Sequence, residues 1–194
     1  GQIIPNYYFL FKEYNPENVL ILSGDHLYKM DLKKLLKYHK RTNAQITVAS
    51  TMVPREQAHE FGLLKINSSN QIIDFKEKPT DAALDEMEIK SLPKEKPYLA
   101  SMGIYVFSMK ALEELLIDES KTDFGKDIIP NAIKNFKVFA FLHDDYWRDI
   151  GTIKAYYDAC MQLTKKDSPF SFFDPSFPIY TESRHLPPSK IENS

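Results

Sequence analysis

The chain has a single cysteine, a single tryptophan and only six glycines among its 194 residues. One cysteine excludes an internal disulfide. Cys160 sits in a run of helical spacing with no recognisable base partner, so it reads as a buried thiol without chemistry. No apolar run approaches the roughly 18 residues of a membrane span and no secretory signal pattern opens the chain. The expectation is therefore a soluble, intracellular protein with no membrane partner. Lysine and arginine (25) nearly balance aspartate and glutamate (27), which leaves no basic footprint for nucleic acid. Small solutes are the expected partners. Nothing in residues 1–24 forms a glycine-rich phosphate loop, the device a nucleotide enzyme ordinarily carries after its first strand.

What is present suffices for a sizeable core: 43% of the residues are hydrophobic. The composition divides the chain into one α/β domain over 1–165 and an extended linker segment over 166–194, proline-rich and aromatic, expected to lie over a surface and lead to a further part. The organising stretch is Val19–Met30. Four consecutive apolar residues, Val19 to Leu22, predict a central strand covered on both faces. Ser23 and Gly24 break the run, and Asp25 and His26 follow where open α/β sheets bind ligands. Asp25 at that place is either a metal ligand or a turn cap.

Residues 1–18 carry Tyr7, Tyr8, Leu10, Phe11 and Tyr14 at a spacing compatible with a helix end against the sheet. Leu32, Leu35, Leu36 and Tyr38 predict a helix capped by Asp31. With the β-rich run Ile46–Ala49 this gives a βαβ order that favours a parallel sheet. A short helix or turn over 54–59 precedes a hairpin of 61–66 and 71–76 around Asn67–Asn70. Proline then leaves Glu77 and Lys78 together at a strand end. Residues 80–96 read as an exposed excursion with one short helix, 98–107 as a strand thinned by Ser101 and Gly103, and 109–117 as a helix. A helix over 124–133 has Thr122 or Asp123 as cap and Pro130 to kink it. A strand follows over 138–142. Three aspartates, Trp147 and Arg148 then precede a helix over 153–163 that Thr152 caps.

Laid out in order, LSGDHLYKMD (Leu22–Asp31), FGLLKI (Phe61–Ile66), FKEKP (Phe75–Pro79), YLASMGIYVF (Tyr98–Phe107), DFGKDIIP (Asp123–Pro130), YWRDIGT (Tyr146–Thr152) and LPPSKI (Leu186–Ile191) resemble the motifs of the sugar-nucleotide pyrophosphorylases. The long tail is similar to that of the adenylyl-transferring branch. The resemblance implies a Rossmann-like, mixed, mostly parallel sheet with flanking helices, and transfer of adenylyl from ATP to glucose 1-phosphate to give ADP-glucose and pyrophosphate in glycogen or starch synthesis. It further implies Mg2+ held by Asp25 and Asp149, Lys78 against the sugar phosphate, and Glu77, Ser101 and Gly62 around the glucose. Asp25, Asp149 and Lys78 are thus the expected catalytic residues. Arg148 and Trp147 belong to the same motif without a separable role, and His26 either orients the Asp25 loop or is a hydrogen-bonded structural residue.

The family's GGxGxRL nucleotide loop and its C-terminal left-handed β-helix have no counterpart here. On this reading the chain is the sugar-phosphate half of a catalytic domain, with an incomplete ATP site and no turnover alone, from a full-length protein that assembles as a homo- or hetero-tetramer. A cytoplasmic setting is expected, or a plastid in a plant-type source. Two other readings stay open: a non-catalytic regulatory subunit that binds sugar phosphate, and a sister pyrophosphorylase using another nucleotide.

Overall fold

Alternate residues of one strand, Tyr98–Ser108, feed two different cores. Tyr105 and Phe107 pack with Val19, Ile46, Val48 and Leu112, while Ile104 and Val106 pack on the opposite face with Met30, Leu35 and Ala49. A strand apolar on both faces belongs at the centre of a covered sheet. The computed structural model describes residues 13–116, 123–172 and 174–180. Along them run β1 (Asn18–Ile21), β2 (His26–Tyr28), α1 (Leu32–Arg41), β3 (Ile46–Val53), α2 (Arg55–Ala58), β4 (Gly62–Ile66), β5 (Ile72–Glu77), α3 (Asp81–Met87), β6 (Tyr98–Ser108), α4 (Met109–Leu116), a π-helical turn (Phe124–Ile128), α5 (Ile129–Asn135), β7 (Val138–Leu142), β8 (Trp147–Asp149) and α6 (Ile153–Leu163).

The main sheet has the order β5-β4-β6-β3-β7, with β1 also paired to β6. It is an α/β, mixed sheet, as expected, but its ladders are not mostly parallel: among the described strands four are antiparallel and one parallel. The unit β1–α1–β3 does not put its two strands side by side, however. β6 lies between them, antiparallel to both, so β1 and β3 share a direction and no ladder. The parallel ladder among the described strands is β3 with β7; β4 pairs antiparallel with β5 and β6. An eleven-residue apolar strand buries most when flanked on both sides, and that gain decides the order. β1 differs from expectation as well. Among the described residues it pairs with β6 alone, and Leu20 and Leu22 are 41% and 44% exposed.

Local signals explain most element ends. Asp31 accepts a hydrogen bond from the Lys33 amide at the start of α1, and Thr152 accepts one from the Ala155 amide at the start of α6. The β4–β5 hairpin closes on Asn67, whose side chain accepts from the Ser69 and Gln71 amides. Asp123 caps the π-helical turn by accepting from the Lys126 amide; Thr122 lies outside the described residues. Pro130, which lacks an N–H, stands in the first turn of α5, so the expected kink takes the form of a change from π to α winding.

Three expectations are corrected by burial. Residues 80–96 are not simply an exposed excursion, because Leu84, Met87 and Ile89 are buried, the first two against Val53, Leu63 and Tyr98. The charges of α3 that dominate its sequence lie on the outer side of an amphipathic turn. Cys160 is exposed, since α6 turns Ala159 inward and leaves Ile153, Tyr156, Tyr157 and Met161 outward. Tyr14 is 77% exposed rather than packed on the sheet; Tyr7, Tyr8, Leu10 and Phe11 fall outside the described residues. Residues 166–172 and 174–180 contain no helix or strand. Lys29 holds this segment through an ion pair to Asp174 at 3.1 Å and lies 4.9 Å from the Phe177 ring centre.

Candidate functional site

Asp25 and Asp149, far apart in sequence, meet beside a two-stranded sheet that the sequence did not announce. β2 and β8 pair antiparallel with His26 opposite Asp149 and Tyr28 opposite Trp147. The Ile150 amide donates to the Asp25 carbonyl at 3.0 Å, which ties the two motifs together ahead of their side chains. Asp149 is therefore delivered by this small sheet rather than by a loop beyond a main-sheet strand.

The carboxylates are open to solvent, with 61% of the Asp25 side chain and 44% of the Asp149 side chain exposed. One ligand atom from each of Asp25, His26 and Asp149 lies within 4.8 Å of the others. The Ser23 hydroxyl donates to Asp25 Oδ1 at 2.5 Å. That hydrogen bond, helped by His26 and opposed by partial burial, holds the Asp25 carboxyl below the usual carboxylate range. Asp149 Oδ1 accepts from the Gly151 amide at 2.7 Å. A Cβ on residue 151 would stand 3.0 Å from Asp149 Oδ1 and 3.5 Å from Asp25 Oδ2, so glycine there keeps the space between the carboxylates clear. Hard carboxylate oxygens gathered in this way suit Mg2+, which is commonly held by one or two carboxylates plus phosphate and water.

Across a bend in β6 lies the second group. Gly103 has φ +66°, a left-handed conformation that favours glycine, and its amide donates to the Ser101 hydroxyl at 3.3 Å. From the same bend the Met102 carbonyl meets His26 Nδ1 at 2.8 Å. Ser101 is thus joined to the aspartate pair through two residues of one strand. Ser101 Oγ is also 3.5 Å from the Tyr105 hydroxyl. Burial, partly countered by Ser101 and reinforced by the nearby charges of Glu77 and Asp123, pushes the Tyr105 phenol up to about 12.

Glu77 ends β5 beside Gly62 and Gly125. A Cβ on residue 62 would stand 2.6 Å from Glu77 Oε2 and 2.5 Å from the Phe75 ring. Gly62 therefore makes room for Glu77 and Phe75. Burial first, then the negative Asp123, raises the Glu77 carboxyl above the usual range, with Lys78 and Lys126 pulling the other way. Lys78 is exposed and has φ +43°, costing about 1–2 kcal/mol for a non-glycine residue. Its amide still donates to the Phe61 carbonyl at 3.1 Å, so the hairpin sustains this turn.

Of the residues singled out from the sequence, Asp25, His26 and Asp149 come together, Gly62 lies against Glu77, Ser101 joins His26 through the Met102–Gly103 bend, and Arg148 turns to Asp158 at 3.4 Å instead. Sequence reasoning missed Tyr105, Gly125 and the placing of Asp123 beside Glu77. Tyr105 was hidden inside an apolar strand, and Asp123 gave only its capping signal. A cleft of about 780 Å3 adjoins Trp147 and Asp149 but is not lined by Asp25, Glu77 or Ser101. Trp147 bridges the two regions, edge-on to His26 at 5.1 Å and to Phe61 at 5.3 Å between ring centres.

The chain is 46% identical, over 97% of its length, to the small subunit of the chloroplastic/amyloplastic glucose-1-phosphate adenylyltransferase of Triticum aestivum, and it spans 42% of that relative's length. The model of the nucleotidyl transferase family matches residues 4–166. This chain belongs to the nucleotidyl transferase family.

Proposed function

We propose that the chain carries the sugar-phosphate site of an enzyme that transfers adenylyl from ATP to glucose 1-phosphate. The observation that carries this reading is the convergence of Ser101, the His26 contact and the Asp25–Asp149 pair on the Met102–Gly103 bend of β6. A hydroxyl joined through one bend to a carboxylate pair supports this reading, because transfer between a sugar phosphate and a nucleotide needs sugar-binding groups beside a bound cation.

In the reaction an oxygen of the sugar phosphate forms a bond to the α-phosphorus of ATP, and the bond from that phosphorus to pyrophosphate breaks. The sugar phosphate is its own nucleophile, so the protein contributes positioning and charge neutralisation. Glu77, ionised, accepts hydrogen bonds from glucose hydroxyls, with Ser101 beside it. Lys78 supplies a point positive charge to the sugar phosphate. Asp25 and Asp149 would hold a divalent cation such as Mg2+, which when bound would supply positive charge against the phosphate oxygens. The positive φ of Lys78 is a local cost consistent with a residue placed for binding.

The wheat relative is a small subunit and is chloroplastic/amyloplastic. A small subunit fits assembly of more than one chain; the homo- or hetero-tetramer, a place in a plastid or in the cytoplasm according to source, and starch or glycogen synthesis rest on the motif resemblance and belong to the same proposal.

Calorimetric titration with glucose 1-phosphate in the presence of Mg2+ tests the site. Lys78→Ala is expected to weaken glucose 1-phosphate by about tenfold or more, the worth of a charge-assisted contact, and, in a full-length protein with its nucleotide loop, to leave ATP unchanged. Equal weakening of both ligands, or a wild-type affinity for glucose 1-phosphate no greater than for inorganic phosphate, overturns the reading.

A further inference from the structure

We propose that His26 is a third ligand of the cation site, binding through Nε2 and favouring Mn2+ over Mg2+. The inference rests on the reading of Asp25 and Asp149 as cation ligands and goes beyond it by assigning a nitrogen donor.

The tautomer follows from hydrogen bonding. His26 Nδ1 lies 2.8 Å from the Met102 carbonyl oxygen, and a carbonyl only accepts, so Nδ1 carries the proton. In a neutral imidazole this leaves the lone pair on Nε2. Nε2 in turn lies 3.4 Å from Asp25 Oδ1 and 3.9 Å from Asp149 Oδ2. A lone pair facing two carboxylates is repulsive, and a divalent cation among the three turns all three contacts attractive. A ring N–H donated to a backbone carbonyl is also the usual outer support of a metal-bound histidine, fixing its tautomer and orientation.

The ring is held in place from several sides. Trp147 packs edge-on to it at 5.1 Å, and the β2–β8 register sets residue 26 opposite Asp149. Gly103 approaches so closely that a Cβ there would stand 3.1 Å from His26 Cε1. Only 11% of the His26 side chain is exposed, against the open carboxylates. The imidazole forms the floor of the site, and the aspartates form its rim. A set of two oxygens and one nitrogen suits a transition metal better than Mg2+, which prefers oxygen throughout.

Titration of the chain with Mn2+, read by the loss of the free-ion electron paramagnetic resonance signal, measures affinity. Pulsed measurements on the bound ion detect a directly coordinated 14N. Expected are a 14N coupling in the wild type, its absence in His26→Asn, and an Mn2+ dissociation constant raised about tenfold or more in that variant. Mg2+ affinity, read by competition, should shift by less than about threefold. If Mn2+ binds and is lost in Asp149→Asn but shows no 14N coupling, His26 is not a ligand while the carboxylate site stands. If the wild type takes up no Mn2+ at millimolar concentration, or if Asp149→Asn leaves binding unchanged, the cation site itself falls, and His26 is then a structural partner of two carboxylates. Should His26→Asn fail to fold, the wild-type 14N measurement alone decides.

Discussion

The Glu77 carboxylate occupies the space into which a side chain on Gly125 would project; a Cβ at that residue would stand 2.9 Å from Glu77 Cδ and closer still to Oε2. Gly125 is the second residue of the π-helical turn, and no positive φ is required of it. The cost of adding a methyl there falls on the movable end of Glu77. Gly125→Ala should therefore displace Glu77 and weaken glucose 1-phosphate by about tenfold, with the melting temperature unchanged or slightly higher, because alanine is a better helix residue by up to ~1 kcal/mol. Gly62→Ala differs in that its Cβ would press not only on Glu77 but also on the ring of Phe75, a residue only 7% exposed. Overpacking of that kind costs about 1–3 kcal/mol. Thermal melts and ligand titration of the two variants separate the effects, and a Gly125→Ala protein that binds sugar phosphate normally would remove Glu77 from the site.

Glu77 also predicts an opposition between stability and binding. Its carboxyl is raised chiefly by burial and next by Asp123, so the folded protein holds that proton more tightly than the unfolded chain. The stability owed to this group is complete below the ordinary value of 4.5 and is lost as pH rises through the elevated folded value. At neutral pH the ionised side chain is a burden on the ligand-free fold. Glu77→Gln should therefore raise the melting temperature at pH 7.5 and leave it little changed near pH 4. The same substitution removes a charged acceptor, so glucose 1-phosphate should bind about ten- to a hundredfold more weakly. A variant that gains no stability at pH 7.5 would show that Lys78 and Lys126 already compensate the charge.

The residues of this site were more legible in the sequence than the sheet that carries them. Asp25, the Glu77–Lys78 strand end and Ser101 sit at breaks in an apolar pattern, which are local, but their candidate roles, and the choice of Asp149 among three aspartates, rest on the motif resemblance. The insertion of β6 between β1 and β3 is not local: it depends on ladders joining residues 46–53 to 98–107, and no window of sequence contains both. β2 and β8 escaped for a related reason. Three residues each, they have too little pattern to declare themselves and exist because they pair. Cys160 shows the limit of periodicity, which identifies a helix but not which of its faces is covered. Tyr105 shows the converse, a group beside the site whose sequence context is entirely that of a core strand.

The contact between Lys29 and Asp174 yields a prediction about residues 166–180. Lys29 follows β2 directly, and its Nζ lies 3.1 Å from Asp174 Oδ2 and 3.4 Å from the Ser171 carbonyl. Asp174 is engaged twice over, because its Oδ1 also accepts from the Ser176 hydroxyl at 2.5 Å and the Ser176 amide at 3.0 Å. The Ser176 hydroxyl first, and Lys29 next, hold the Asp174 carboxyl at about 2. A depressed carboxyl contributes stability that is present above its ordinary value of 3.8 and lost as pH falls from there toward about 2. At neutral pH the attachment is complete. Asp174→Ala removes the ion pair and the turn together, whereas Asp174→Asn keeps an oxygen for Ser176 and removes only the charge that faces Lys29. Limited proteolysis at pH 7.5, with cut sites read by mass spectrometry, should show severalfold faster cleavage within 166–180 for the alanine variant and an intermediate rate for asparagine. The melting temperature should hardly move, because the segment contains no helix or strand and opens without the core. Lys29→Ala should match the asparagine variant, since it breaks the ion pair and leaves the Ser176 turn intact. If Asp174→Asn and Lys29→Ala are both cut at the wild-type rate, the ion pair contributes nothing to the attachment, and the turn at Ser176 with the packing of Phe170 against Tyr146, whose ring centres are 5.8 Å apart, holds the segment alone.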